Sequence, residues 1–162
     1  MSSALIVVDI QNDYFSGGRF PLENSGLALA NALNAIARAR QAGELVIGIQ
    51  HKAPAGAPFL ADGSTGAELH PAIAAALQGC TLIEKQQADS FLGTALGSTL
   101  AAGGVSAIRL VGMMTQHCIT HTALSPEAAP FQVTILGAAC AAPAAVLSDI
   151  ALSGLAGRCR VV

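Results

Sequence analysis

Residues Ala4–Val8, ALIVV, are apolar at every position. A strand with one wet face alternates apolar and polar residues, so an unbroken run implies burial on both faces and a place inside a parallel sheet. Further short runs at Leu45–Ile49, Thr81–Ile83, Ala107–Val111 and Val133–Leu136 read as strands, and Arg160–Val162 as a final edge strand. Helical patterns lie between them. Ser25 is placed to cap a helix that carries Leu29, Leu33 and Ile36 on one face and ends near Gly43. Pro71 suits a first helical position and Gly79 a helix stop. Leu92, Leu96 and Leu100 recur at four-residue steps before Gly103 and Gly104, a helix is expected to begin near Thr115, and Pro143 opens a last one carrying Val146, Leu147 and Ile150. This alternation predicts an α/β fold, a three-layer α/β/α sandwich around a parallel, roughly six-stranded, Rossmann-like sheet with right-handed crossovers. The 162 residues fit one domain spanning the whole chain, long enough to fold without disulfides or metal.

Charged residues make up only 11% of the chain, against roughly 25% in an ordinary soluble domain. So little charge leaves apolar surface to be covered, and a homo-oligomer is expected. A net charge of −2 gives no footprint for nucleic acid or an anionic membrane. The first residues, MSSALIVVDIQNDYF, carry neither a basic leader nor a run long enough to span a bilayer, so a cytoplasmic protein with reduced thiols is expected. Cys80, Cys118, Cys140 and Cys159 match no zinc or C-x-x-C spacing. No glycine-rich phosphate loop follows the first strand, which disfavours nucleotide binding.

In open parallel sheets, ligands bind beyond the carboxyl ends of the strands. The polar residues directly after the strands are Asp9 and Gln11, then Gln50, His51 and Lys52, then Glu84 and Lys85, then the segment Gly112–Cys118, and last Gly137–Cys140. An acid, a base and a thiol thus share one rim. Cys118 should fall in the first turn of a helix, where the dipole and free N–H groups lower a thiol pKa and can also hold an oxyanion. Alone, each residue has a plainer reading: Cys118 as a core cysteine, Asp9 as a turn cap, Lys85 as half of a solvated ion pair.

Together, the segments VVDIQNDYF, IEKQQADSF and LVGMMTQHCITHTA, in this order, resemble the signature segments of the isochorismatase-like cysteine hydrolases. The most specific is the third, with Gly112, Thr115, Cys118, Thr122 and Ala123 at family spacing. The resemblance implies an Asp–Lys–Cys triad on Asp9, Lys85 and Cys118, in which the Asp takes the thiol proton and the Lys supports the charge of its neighbours. It also implies a cis peptide at Met113–Met114 and an oxyanion hole from the amides of Met114 and Cys118. Gln11, Tyr14, Phe91 and Met113 match substrate-pocket positions. No cofactor is implied. The nicotinamidase branch carries Asp-x-His and further histidines as metal ligands; here the stretch reads Ile49-Gln50-His51, followed at a distance by His70, so no metal site is expected. His117 and His121 straddle the thiol and fit a helix surface. Pro126 should shorten the helix that carries Cys118.

The expected activity is hydrolysis of a C–N bond in a small amide or ureido substrate through a thioester. Two alternatives stand beside it: a non-catalytic member serving as an oligomeric scaffold or small-molecule binding module, and a redox-sensing thiol protein with Cys140 as the partner of Cys118.

Overall fold

The computed structural model describes residues 2–162. Its strands are β1 (Ser2–Val8), β2 (Leu45–His51), β3 (Thr81–Lys85), β4 (Val105–Met113), β5 (Gln132–Ala141) and β6 (Arg160–Val161). They form one six-stranded sheet in the order β3-β2-β1-β4-β5-β6, and every pairing is parallel. The sheet grows outward from β1 to β3, then reverses and continues from β4 on the other side of β1. In open parallel sheets such a reversal is where ligands bind, and here it falls at the carboxyl ends of β1 and β4.

The helices are α1 (Ser25–Gln41), α2 (Pro71–Ala76), α3 (Leu96–Ala102), α4 (Thr120–Ala123) and α5 (Ala145–Leu155). Leu5 and Val7 of β1 pack with residues of α1 and α2, while Ala4, Ile6 and Val8 pack with Leu96, Leu100 and Ile119 on the opposite face. The ALIVV run is therefore covered on both sides, which accounts for its missing alternation. Among the described residues, no helix is long and apolar enough to cross a membrane.

Several helix details differ from the sequence expectation. The cap of α1 is Asn24, in the left-handed region at φ 61, and Ser25 is already helical. Asn tolerates that conformation better than most L residues. The chain's entry is set from outside the helix: Glu23 donates its N–H to Ala142 O, and its carboxylate accepts from Ala145 N. The buried stripe of α1 is Ala28, Ala32, Ala35, Ile36 and Ala39; Leu29 and Leu33 are only partly buried. Leu92 lies outside α3 and is exposed. Thr94 accounts for this, since its hydroxyl donates to Ser90 O at 2.6 Å and accepts from Leu96 N, holding the preceding residues in a turn. In α5, Val146, Leu147 and Ile150 face solvent at 57, 37 and 65% exposure, and only Leu155 is fully buried. As expected, α4 stops before Pro126.

The register of β4 against β5 breaks between Leu110 and Gly112, so that Leu110 pairs with Ile135 but Gly112 with Cys140. Gly112 has φ +126, and a Cβ built there would land on the Val8 carbonyl oxygen. Only glycine allows β1 and β4 to approach so closely there. Gly112→Ala is expected to lose roughly 3 kcal/mol or more, combining positive-φ strain with a backbone clash. Urea denaturation should read this as a lower midpoint at unchanged slope; a wild-type midpoint would show that the strands can part without cost.

Candidate active site

Asp9 directly follows β1 with φ 50, a region that Asp enters more readily than most residues. Its N–H donates to Ile49 O at 3.1 Å, which fixes the turn against β2. Lys85 closes β3, and its side chain crosses the end of β2 to place Nζ 2.8 Å from Asp9 Oδ2. Both side chains are wholly buried. The ammonium also donates to Gln87 O at 2.9 Å and Ala88 O at 3.2 Å. These carbonyls take two of its three N–H groups, and the third is left for the ion pair with Asp9. Asp9 Oδ1 is buried with no hydrogen-bond partner.

After the cis peptide at Met113–Met114, found where the resemblance placed it, the chain enters a π-helical turn, Thr115–Ile119, that leads into α4. Ile119 N reaches back to Met114 O at 3.2 Å, and the Thr120 hydroxyl donates to Thr115 O at 2.7 Å. This turn carries Cys118, which is 2% exposed, into the cluster: Asp9, His51 and Cys118 each present one atom within 4.8 Å of the others. The structure thus brings Asp9, Lys85 and Cys118 together and adds His51, whose Nδ1 lies 3.5 Å from Lys85 Nζ. His51 is the last residue of β2, on the same rim, which was the available signal for its place.

The sealed setting governs the protonation states. Burial pushes the Cys118 thiol up to about 12; Asp9 adds to the rise, and Lys85 opposes it without prevailing. This corrects the expectation of a thiol activated by a helix start. Residues 115–123 make only a π turn and a short α4, too little aligned backbone to outweigh the loss of water. Burial works against the Lys85 ammonium, but Asp9 and Cys118 outweigh it and hold Lys85 above the ordinary lysine value. Burial, reinforced by Asp9, Cys118 and Asp13, keeps the Tyr14 phenol protonated. Burial lowers His51, with Lys85 and His117 in the same direction and Asp9 opposed.

The remaining predicted residues take varied places. Gln11 is fully buried, and its amide clamps backbone: Nε2 donates to His51 O and Ala67 O, and Oε1 accepts from His51 N. Tyr14 and Met113 belong to the apolar layer under α1 and α2, where Met114 also packs. Phe91 belongs to the opposite layer and stacks on Phe131 at 6.1 Å. The loop carrying Phe91 is locked to α4 by a buried pair, with Ser90 N donating to the Thr122 hydroxyl and that hydroxyl donating to Ser90 Oγ. His70 caps α2 by accepting from Ala72 N and packs on Phe15, a structural place. His117 and His121 are exposed, yet His117 Nδ1 lies 3.5 Å from Cys118 Sγ.

Asp9, His51 and Cys118 are the residue types that bind transition metals, but they do not fit a resident ion. A divalent cation here would meet the buried Lys85 ammonium already on its carboxylate ligand.

Alkylation reads the thiol's state directly, since only the thiolate reacts. The Cys118 pKa is raised, so the thiolate fraction grows as pH climbs toward 12. Iodoacetamide labelling of Cys118 should keep accelerating above about pH 9, where a free cysteine levels off. A plateau already reached at neutral pH would mean that the sulfur is ionised in the folded protein.

Comparison with known proteins agrees with this architecture. The Isochorismatase domain family matches residues 3–162. An uncharacterized isochorismatase family protein of Bacillus subtilis, YddQ, is 33% identical over 150 residues, covering 92% of this chain and 83% of its own. A streptothricin hydrolase of Streptomyces noursei is 33% identical over 122 residues, 74% of this chain but only 42% of the longer enzyme. A solved structure from Oleispira antarctica, designated an isochorismatase hydrolase by inference, superposes with a TM-score of 0.93 at 31% identity, covering 99% of this chain and 92% of that one. With the family matched across nearly the whole sequence and the fold matched throughout, the chain belongs to the isochorismatase family of hydrolases.

Proposed function

We propose that this protein is a cysteine hydrolase that cleaves a C–N bond of a small amide or ureido compound through a thioester on Cys118, with Asp9 and Lys85 as its partners. The observation that carries the reading is the asymmetry of Asp9. Lys85 holds one carboxylate oxygen, while the other is buried and unpartnered in a cluster with a protonated thiol.

The chemistry follows from that asymmetry. A thiol held this far above neutrality is no standing thiolate, so attack and deprotonation must go together. As sulfur bonds to the carbonyl carbon, its proton passes to Asp9 Oδ1, and the amides of Met114 and Cys118 receive the oxyanion. Collapse expels the amine, which takes the proton from Asp9. Lys85 keeps Asp9 oriented and balances negative charge as it moves between carboxylate and sulfur. Tyr14 offers a protonated phenol in the same surroundings, and Gln11 supports the site by holding the backbone of His51. Tyr14, Phe91 and Met113 are all buried, which suits a short or planar acyl group. The similarity to a streptothricin hydrolase supports hydrolysis as the reaction type. The apolar residues that α5 exposes, Val146, Leu147 and Ile150, support a homo-oligomer in which they are covered.

Cys118→Ala should abolish ammonia release from a panel of small amides while leaving far-ultraviolet circular dichroism unchanged. Asp9→Asn and Lys85→Ala should each lose nearly as much activity, and the double variant little more, because groups acting as one unit are non-additive. Turnover by Cys118→Ala would end the mechanism, and multiplicative losses would separate Asp9 from Lys85. For assembly, sedimentation at micromolar concentration should give a multiple of the 16.2 kDa chain mass, and charged substitutions at Val146 and Ile150 should reduce it to one chain. A single-chain mass for the unaltered protein would refute the oligomer.

A further inference from the structure

The cluster has an inner and an outer side. Asp9 and Lys85 are sealed from solvent, and Cys118 is nearly so. His117 is both exposed and near the sulfur: Nδ1 lies 3.5 Å from Cys118 Sγ while the residue faces solvent. The π turn brings this about. It places consecutive residues on opposite sides of the rim, with Cys118 turned inward and His117 outward, and the imidazole returns over the sulfur. His121, on the next turn, donates from Nδ1 to His117 O at 2.8 Å, and its ring meets that of His117 edge-on at 5.2 Å, which fixes the backbone and flank of His117.

We infer that His117 is a second catalytic base, serving the hydrolysis of the acyl-enzyme, so that the two half-reactions use different bases, one buried and one exposed. This rests on the thioester reading above. In the first half-reaction the thiol proton goes inward to Asp9 and leaves on the amine, after which Asp9 is again ionised and buried. Acylation removes the thiol proton from the cluster, and His117 Nδ1, in the Nε2–H tautomer, is left beside the sulfur able to accept a new proton. Water arrives from the exposed side. As its oxygen bonds to the acyl carbon, its proton passes to Nδ1; as the C–S bond breaks, that proton passes from Nδ1 to Sγ. The ring ends neutral, the thiol is restored, and the carboxylic acid departs.

The surroundings suit this task. The groups facing His117 are His121 on its own helical segment, Lys85 from β3, Asp9 after β1, His51 at the end of β2, and Cys118 itself. Burial lowers the His117 pKa below the ordinary imidazole value, His121 and Lys85 lower it further, and Asp9 opposes them. The ring is therefore neutral and able to accept a proton at neutral pH.

The test separates the half-reactions with p-nitrophenyl acetate, whose nitrophenolate burst reads acylation and whose steady state reads deacylation. His117→Gln should keep the burst and lose steady-state rate on the order of 10²-fold, the usual size of a general-base contribution. Acetyl should accumulate on the Cys118 peptide. Hydroxylamine needs no base and should release hydroxamate equally fast from both proteins. In wild type the deacylation rate should rise with pH through a value below that of ordinary imidazole. His121→Gln should move that limb upward, and His117→Gln should abolish it. Equal loss of burst and steady state, or slowed hydroxylamine release, would make His117 a mere support for the thiol and overturn the inference, as would an unchanged steady state. An absence of acetyl on wild-type Cys118 would overturn the thioester reading itself, a separate and recognisable failure.

Discussion

Removing a carboxylate and an ammonium from water costs several kcal/mol per ion, and the pair repays this only where the geometry is close and the remaining valences are filled. Lys85 meets those terms, with the charges 2.8 Å apart and its other hydrogens on the carbonyls of Gln87 and Ala88, whereas Asp9 meets only the first, since its Oδ1 is left without a partner. The pair spans β2, because the sheet order puts β2 between β1 and β3. It therefore draws together the ends of two strands that do not touch, and Gln11 fastens the end of the strand between them. This brace makes the rim a fixed surface. It also sets the local field, with positive charge on one side of Asp9 and a bare oxygen on the other.

A dry rim has a second effect, on sulfur. The arrangement that excludes water from Asp9 and Lys85 also leaves the Cys118 thiol protonated. A resting thiol is a poor target for oxidants, which act on the thiolate. Nucleophilicity is then expressed only when a carbonyl and a proton acceptor are present together. The π turn, an uncommon element that recurs at functional sites, buries Cys118 while leaving its exposed neighbour His117 within 3.5 Å of the sulfur.

Much of this was legible in the sequence because the rim residues are tied to strand ends. Once ALIVV is read as a central parallel strand, Asp9 must lie at its carboxyl edge, and the same logic places His51, Lys85 and the approach to Cys118. What was not legible depends on partners distant in sequence. The thiol pKa is set first by burial and then by Asp9 and Lys85, residues distant in sequence that no local pattern reports. His51 was visible on the rim, but its role could not be read without knowing that Lys85 reaches across β2. Leu92 carries helical spacing, yet the Thr94 hydroxyl competes for the same backbone and wins. Val146, Leu147 and Ile150 mark an amphipathic helix correctly, but periodicity does not say whether its apolar side meets the sheet or the solvent.

The alanine stripe of α1 bears on how such a protein can change. Ala28, Ala32, Ala35 and Ala39 let the helix lie close on the sheet, and alanine has no side-chain rotamers through which a neighbour could accommodate a new group. Larger residues there would lift the helix and with it Glu23, whose bonds to Ala142 and Ala145 join the start of α1 to the segment entering α5. Shrinkage has only glycine to offer, at a helical cost near 1 kcal/mol for each position. Sequence drift on this face is thus closed in both directions. The loops beyond the strand ends carry no such constraint, so a change of side chain there leaves undisturbed how the layers meet.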